Sequence, residues 1–261
     1  MKVLMVGDIV GSPGRRVFKQ TVAKLRGEGA VHVVVANAEN AAAGNGVTCE
    51  LARELFDAGA DVLTLGDHTW GQKDTEQAFA GEKRMVRPAN FPPTCPGSGW
   101  TVVQCPLGPL AVLNLIGRVF MPPADCPFRA ADAALKVIPG GIPVVVDFHA
   151  EATSEKIAMG LYLDGRVAAL AGSHTHVQTS DACVLPGGTG YITDLGMTGP
   201  TGGVIGREAV PVLRKFVTGM PSRFEVAQGP AVLEAVIFDI DRTTLKCVSA
   251  VSLRVREVKA G

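Results

Sequence analysis

The stretch KVLMVGDIVGSPGRRVFKQTVAKLRGEGAVHVVVANAEN, residues 2–40, decides the fold. It begins with an apolar, strand-like run that ends at Asp8, and it closes with a second such run that ends at Glu39. Between the two runs, Pro13 suits a first helical turn, apolar residues recur on one face, and glycines mark the exit. The order strand, helix, strand predicts a parallel sheet with right-handed crossovers.

Further strands and helices follow at a similar spacing. The predicted helices cover residues 47–60, 72–81, 130–138 and 153–163, and the predicted strands cover residues 61–68, 142–151 and 167–176. Two antiparallel hairpins are also predicted, one joining WTVVQC to LAVLNLIG and one turning at DRTT, residues 241–244. We therefore expect a parallel first half and an antiparallel second half. Together they predict one α/β domain over 1–261, with two packed mixed β-sheets flanked by helices as a four-layer α/β/β/α sandwich.

The composition narrows the class of protein. Lys plus Arg and Asp plus Glu number 25 each, so the chain lacks the basic excess of a protein with strong non-specific nucleic-acid or membrane binding. The six cysteines are scattered and form no CxxC pair, which favours reduced thiols in a cytoplasmic protein. No apolar run reaches the roughly 18 residues that cross a bilayer. We interpret the N-terminal run as a first strand, not a signal peptide.

Residues of metal-ligand type come directly after five apolar strands. They are Asp8, Glu39 with Asn40, Asp67 with His68, His149, and His174 with His176. The carboxyl ends of parallel strands share one edge of a sheet, so these side chains should converge there. Each has an ordinary explanation when taken alone, and Asp8 taken alone is better explained as a helix N-cap. Five such strand ends in one chain favour a metal site.

The kind and number of these residues indicate a two-metal centre. Carboxylates and imidazoles without a thiolate cluster suit manganese, iron, zinc or cobalt. Six or seven candidate ligands exceed what one tetrahedral ion takes, and two ions bridged by one carboxylate account for them better. Centres with two ions about 3.5–4 Å apart are typical of enzymes of phosphoryl transfer. We expect a metal-bound hydroxide to attack phosphorus in such a site.

Five short blocks resemble those of the calcineurin-like metallophosphoesterases, and more closely the bacterial YmdB-like subfamily. They are GDIVGSPGR at 7–15, NAENAA at 37–42, GDH at 66–68, FHAE at 148–151 and GSHTH at 172–176. RVFM at 118–121 and CPF at 126–128 also fit the subfamily. The blocks run in order across nearly the whole chain. Asp67 departs from the usual G-N-H form of the third block.

The resemblance implies a role for each residue. Glu39 bridges two ions, Asp8 and His176 complete one site, and Asp67, His149 and His174 complete the other. Asn40 adds a ligand or holds the phosphate, and His68 is the general acid. It also implies a phosphodiesterase of small cyclic nucleotides that uses two divalent or trivalent ions, iron or manganese with zinc or cobalt as alternatives. A homo-oligomer, either a dimer or a tetramer, is implied as well.

Other functions are also compatible with the sequence. A dinucleotide-binding protein is suggested by Gly7, Gly11 and Gly14, but their spacing misses the GxGxxG fingerprint. Within enzymes, a phosphomonoesterase or nucleotidase is the nearest alternative to a phosphodiesterase. A regulatory protein that uses the metal site to sense a nucleotide or RNA is the third hypothesis, although the presence of His68 favours catalysis.

Overall fold

The structure, a computed structural model, describes residues 1–257, so that 258–261, the end of the predicted domain, lie outside it. One sheet has eight strands, in the spatial order β2-β12-β13-β1-β3-β4-β5 with β14 beside β13. Its strands are β1 (Lys2–Val6), β2 (Asp8–Ile9), β3 (Val33–Asn37), β4 (Val62–Thr64), β5 (Met85–Val86), β12 (Met197–Pro200), β13 (Ala231–Ile240) and β14 (Cys247–Arg256).

The second sheet has six strands, in the order β10-β11-β9-β8-β7-β6. These are β6 (Trp100–Cys105), β7 (Gly108–Ile116), β8 (Val144–His149), β9 (Ala169–Ser173), β10 (Cys183–Val184) and β11 (Gly190–Ile192). The helices of the described part are α1 (Gly11–Gly27), α2 (Cys49–Asp57), α3 (Thr75–Gly81), α4 (Pro127–Val137), α5 (Thr153–Leu163) and α6 (Ala209–Thr218).

Three apolar clusters show that the molecule is layered. The middle cluster joins the inner faces of the two sheets, with Val35 of β3 and Val145 of β8 among its members. A second cluster packs α1, α2 and α3 against the outer face of the eight-stranded sheet. The third packs α4 and α5 against the outer face of the other sheet, with Phe148 of β8 among its members. Successive side chains of one strand belong to different clusters, because they point to opposite faces of the sheet. The predicted four-layer sandwich is confirmed.

The predicted strand directions hold for the first half of the chain and fail for part of the second. Strands β1, β3 and β4 are parallel neighbours, and both predicted hairpins form. The second half is not an antiparallel unit, because β7, β8, β9 and β11 run parallel to one another. The helices α4 and α5 cross over between β7, β8 and β9, which is what parallel neighbours require. In the six-stranded sheet the edge strands β6 and β10 run antiparallel to their neighbours, and in the other sheet β13 runs antiparallel to β1, β12 and β14.

Two further findings concern the helices. Thr48 caps α2, because its side chain accepts a hydrogen bond from the backbone N–H of Leu51. The helix α6 was not predicted, because its exposed face is apolar while only Val212 is buried, the reverse of an ordinary surface helix. Within residues 1–257, no helix has the length and apolar character to span a membrane.

Candidate metal centre

The strand ends of both sheets meet at one place. Asp8, Glu39 and Asp67 follow the parallel strands β1, β3 and β4, whereas His149 ends β8 and His174 follows β9. The carboxyl ends of parallel strands share an edge, and the two packed sheets bring their two edges together. The sequence predicted convergence at a sheet edge, and the structure divides the residues between two sheets.

Four side chains form the tightest group. One ligand atom from each of Glu39, Asp67, His149 and His174 lies within 4.8 Å of the others. His149 Nε2 lies 3.0 Å from Asp67 Oδ1 and 3.1 Å from Glu39 Oε1, and His174 Nδ1 lies 3.3 Å from Asp67 Oδ1. Glu39 and His149 are almost completely buried. This concentration of carboxylate and imidazole donors fits a metal ion.

A second group adjoins the first. His176 Nε2 lies 3.1 Å from Asn40 Oδ1 and 4.0 Å from Asp8 Oδ1. Asp8 Oδ1 is buried without a hydrogen-bond partner, while Asp8 Oδ2 accepts the backbone N–H of His174 at 3.1 Å. The helix-cap explanation of Asp8 is wrong, because the residue that caps α1 is Val10 and no side chain bonds the first turn. A buried carboxylate oxygen without a donor fits a cation.

The imidazoles of His149, His174 and His176 each turn one nitrogen toward the candidate ligand cluster and the other toward a hydrogen-bond acceptor. His149 Nδ1 lies 2.9 Å from Ser173 Oγ, whose hydroxyl donates to Asp147 at 2.6 Å. His174 Nε2 lies 3.1 Å from Glu151 Oε2. His176 Nδ1 lies 3.0 Å from the carbonyl oxygen of Ile205. Metal-ligating histidines are typically held in this way, because the second N–H fixes the tautomer and the ring orientation.

His68 differs from the other three. Its Nδ1 lies 3.1 Å from Glu39 Oε1 and 3.4 Å from Asn40 Nδ2, and its backbone N–H donates to Glu39 Oε2 at 3.1 Å. The side chain is 37% exposed, which leaves Nε2 as the nitrogen that a substrate can approach. The hydrogen bond to Glu39 raises the pKa of His68, which favours the protonated ring.

The electrostatics of the carboxylates also fit cations. Burial raises the pKa of Asp8 to about 7. Burial opposes ionisation of Glu39 as well, but the neighbouring imidazoles of His149 and His68 outweigh it and lower its pKa to about 2. Burial is again outweighed at Asp67, where hydrogen bonds from His149 and His174 lower the pKa. Opposite charge near a carboxyl group favours its ionised form, so positive charge at this point stabilises the whole cluster.

The structure thus brings together all eight predicted residues. Sequence reasoning missed the polar residues that hold the imidazoles, chiefly Asn37, Asp147, Ser173 and Glu151. Asn37 Nδ2 lies 3.3 Å from His149 Nδ1 and 3.2 Å from Asp147 Oδ2. A signal was present, because Asn37 and Asp147 interrupt otherwise apolar strands and are fully buried. Buried polar side chains of this kind need partners.

The fold and this cluster define a metallophosphoesterase-type hydrolase. The model of a family described as YmdB-like protein matches residues 4–253, and the chain belongs to that family. A 2',3'-cyclic-nucleotide 2'-phosphodiesterase of Bacillus subtilis (strain 168) is 47% identical over 249 residues, which cover 95% of this chain and 94% of that protein.

Solved structures agree with this assignment. A structure described as a novel phosphatase from Mycoplasma pneumoniae has a TM-score of 0.92 and 34% identity, covering 98% of this chain and 93% of that one. A Staphylococcus aureus protein described as a 5'-nucleotidase has a TM-score of 0.64 at 12% identity, covering 99% of this chain and 55% of that one. The second likeness concerns the fold alone, and it extends the same two-sheet architecture to a distant protein.

Proposed function

We propose that this chain is a two-metal phosphodiesterase of small phosphodiesters, with 2',3'-cyclic nucleotides as the substrate class. The observation that carries the proposal is the orientation of three imidazoles, each with one nitrogen toward the carboxylates and the other on an acceptor. The family and the activity named for the Bacillus subtilis relative support the substrate class.

Two ligand sets follow from the two adjoining groups. Asp67, His149 and His174 hold one ion, which their mutual distances of 3.0 Å and 3.3 Å support. Asp8, His176 and Asn40 hold the other ion. Glu39 bridges the two ions, and its burial between His149 and His68 supports this role. Hard carboxylate oxygens mixed with imidazole nitrogens suit iron or manganese, with zinc and cobalt as alternatives.

The residues around the ions orient the substrate and move a proton. Two bound cations supply Lewis acidity toward the phosphoryl oxygens and a nucleophile near neutral pH. His68 is the proposed general acid, because its Nδ1 contacts Glu39 while its half-exposed ring leaves Nε2 open to the substrate. In a cyclic nucleotide the leaving oxygen is a ribose alkoxide, which needs a proton as the P–O bond breaks. Asn40, beside His68, is placed to help hold the phosphate.

The test is a paired assay on metal-loaded protein. We expect hydrolysis of a 2',3'-cyclic nucleotide, at least tenfold slower hydrolysis of the matching monoester, and about two transition-metal ions per chain by elemental analysis. Faster hydrolysis of the monoester indicates a phosphomonoesterase. Tight nucleotide binding without hydrolysis of either compound indicates a sensor. In both of the last two cases the proposal is wrong.

Three broader proposals complete the function. The chain works as one domain, because the candidate ligands come from strands of both sheets. It acts in the cytoplasm. Its six free cysteines support this location, because thiols are oxidised to disulfides in the compartments outside the cytosol. It forms a homo-oligomer, a dimer or a tetramer, and the apolar side chains exposed along α6 support this state.

A further inference from the structure

A buried ion pair lies beside the metal centre without belonging to it. Lys156 of α5 is 0% exposed, and its Nζ lies 2.6 Å from Oδ2 of Asp194, which is 1% exposed. Removing both charges from water is costly, and the attraction compensates only when geometry and additional hydrogen bonds are good. The surroundings of Asp194 supply those hydrogen bonds and indicate what the pair does.

The Asp194 carboxylate holds the backbone of the loop between two candidate ligands. Its Oδ2 accepts the backbone N–H of Thr175 at 3.1 Å, and its Oδ1 accepts that of Gly196 at 2.8 Å. Thr175 separates His174 and His176, whose φ angles are 106° and 62°. Such angles are unfavourable for residues with a Cβ and persist only where the surroundings impose them. The bond from Thr175 to Asp194 is one such constraint.

The side chain of Lys156 reaches Asp194 past the end of β9. A Cβ at Gly172 would clash with the carbonyl oxygen of Thr193 and would lie 2.8 Å from Lys156 Cδ, so the glycine makes room for both the Thr193 backbone and the lysine stem. The carbonyl oxygen of Gly172 accepts the backbone N–H of Leu195 at 2.8 Å. The lysine, the end of β9 and the Asp194–Leu195 segment therefore pack as one unit directly before His174.

We propose that Lys156 and Asp194 form a positioning pair that fixes the imidazoles of His174 and His176 at the separation required by two ions. This inference rests on the proposed two-metal function. If Lys156 acted only through its charge, it would oppose metal binding, because a cation near the centre weakens the binding of other cations. Removal of Lys156 therefore weakens metal binding if the pair positions the loop, and strengthens it if charge alone matters.

The experiment is a calorimetric titration of the chelator-treated full chain with Mn²⁺. In Lys156→Met we expect the Kd of both ions to rise at least tenfold, since His174 and His176 belong to different ligand sets. The matched control is Met159→Ala, which removes another fully buried side chain of α5 about one turn away. It should lower the melting temperature and leave both Kd values within about twofold. An unchanged or lower Kd in Lys156→Met, or an equal rise in Met159→Ala, overturns the proposal.

A second variant covers the case in which Lys156→Met does not fold. Lys156→Met/Asp194→Asn leaves no unpaired buried charge, and such a replacement is often tolerated. An amide has one acceptor oxygen, so it cannot hold the N–H groups of both Thr175 and Gly196. We expect Mn²⁺ binding at least tenfold weaker than in the wild type, and wild-type affinity overturns the proposal. Wild-type protein that binds Mn²⁺ but hydrolyses no diester contradicts the proposed function alone, whereas one that binds no Mn²⁺ overturns both.

Discussion

At the scale of single residues, His68 is the clearest test of chemistry as opposed to metal binding. Its Nδ1 contacts Glu39, and its Nε2 is left for the substrate. His68→Ala should lower kcat for a cyclic nucleotide by roughly 10²–10⁴-fold, the usual contribution of a general acid. A nitrophenyl diester has a leaving group that needs no proton, so its kcat should fall much less. Steady-state kinetics on the two substrates measure the difference.

Metal content is the control for this variant. His68 contacts Glu39 through Nδ1 and belongs to neither of the two proposed ligand sets, so His68→Ala should keep both ions. Loss of an ion shows that His68 is a ligand. An equal fall in kcat for both substrates shows that it does not protonate the leaving group.

Asp8 predicts how the metal-free protein responds to pH. Burial raises its pKa to about 7 from 3.8, so the folded chain holds this proton more tightly than the unfolded chain does. Stability from that proton is fully present below the unfolded pKa and is lost as the pH rises through the folded value. Asp8→Asn has no proton to lose. In chelator, its melting temperature should exceed that of the wild type above pH 7, and the two should converge at about pH 4.

Added Mn²⁺ should reverse the order of the melting temperatures of the same two proteins. A cation beside Asp8 stabilises the carboxylate, so metal-loaded wild type should melt above metal-loaded Asp8→Asn near neutral pH. Thermal unfolding of both proteins with and without metal checks the reversal. If the difference between the two metal-free proteins does not change with pH, Asp8 is not the buried acid described here.

At the scale of elements, the strand ends could be predicted from the sequence and their exact surroundings could not. Apolar runs that stop at Asp8 or Glu39 are visible in one sequence, because strand and ligand are adjacent. The strand predicted over 167–176 ends at Ser173, because His174 turns into a positive φ angle that no local pattern announces. The parallel order of β7, β8 and β9 depends on helix crossovers, and an apolar run carries no direction.

Gly66 tests how tightly the end of β4 packs against the centre. A Cβ at this residue would lie 2.1 Å from His149 Cδ2 and 2.3 Å from Glu39 Oε2. Gly66→Ala should therefore displace two candidate ligands and raise the Kd for Mn²⁺ at least tenfold. Gly27→Ala is the control, because a Cβ there meets nothing within 4 Å. Unchanged Mn²⁺ binding in a folded Gly66→Ala protein contradicts this packing.

At the scale of the whole molecule, the centre depends on contacts between distant parts of the chain. The backbone N–H of His174 donates to Asp8 across 166 residues, and Asn37 contacts Asp147 across 110. The five ordered blocks predicted that Asp8 and His174 lie in one centre, but not that Asn37 contacts Asp147. They could not show that Ser173, Glu151 and Ile205 would hold the imidazoles, because those contacts appear only when two sheets are packed.

The surface of α6 predicts how whole molecules associate. Val210, Leu213, Phe216 and Val217 on this helix are each more than half exposed, as is Met220 just after it. An apolar stripe of this kind on a surface helix marks an interface. The wild type should elute as a dimer or tetramer, and Phe216→Glu/Val217→Glu should elute as a monomer, because buried charge without a partner opposes association. Size-exclusion chromatography with light scattering measures both masses.

The matched control is Val137→Glu at the end of α4, where the side chain is 63% exposed and lies on a different helix. It adds a charge to an exposed apolar position, so it should leave the oligomer intact. Mn²⁺ binding by the monomeric α6 variant then shows whether association matters for the centre. Because His176 contacts the carbonyl oxygen of Ile205, four residues before α6, we expect at most a severalfold change in affinity. A monomeric wild type, or an α6 variant that stays oligomeric, contradicts the assignment of this surface.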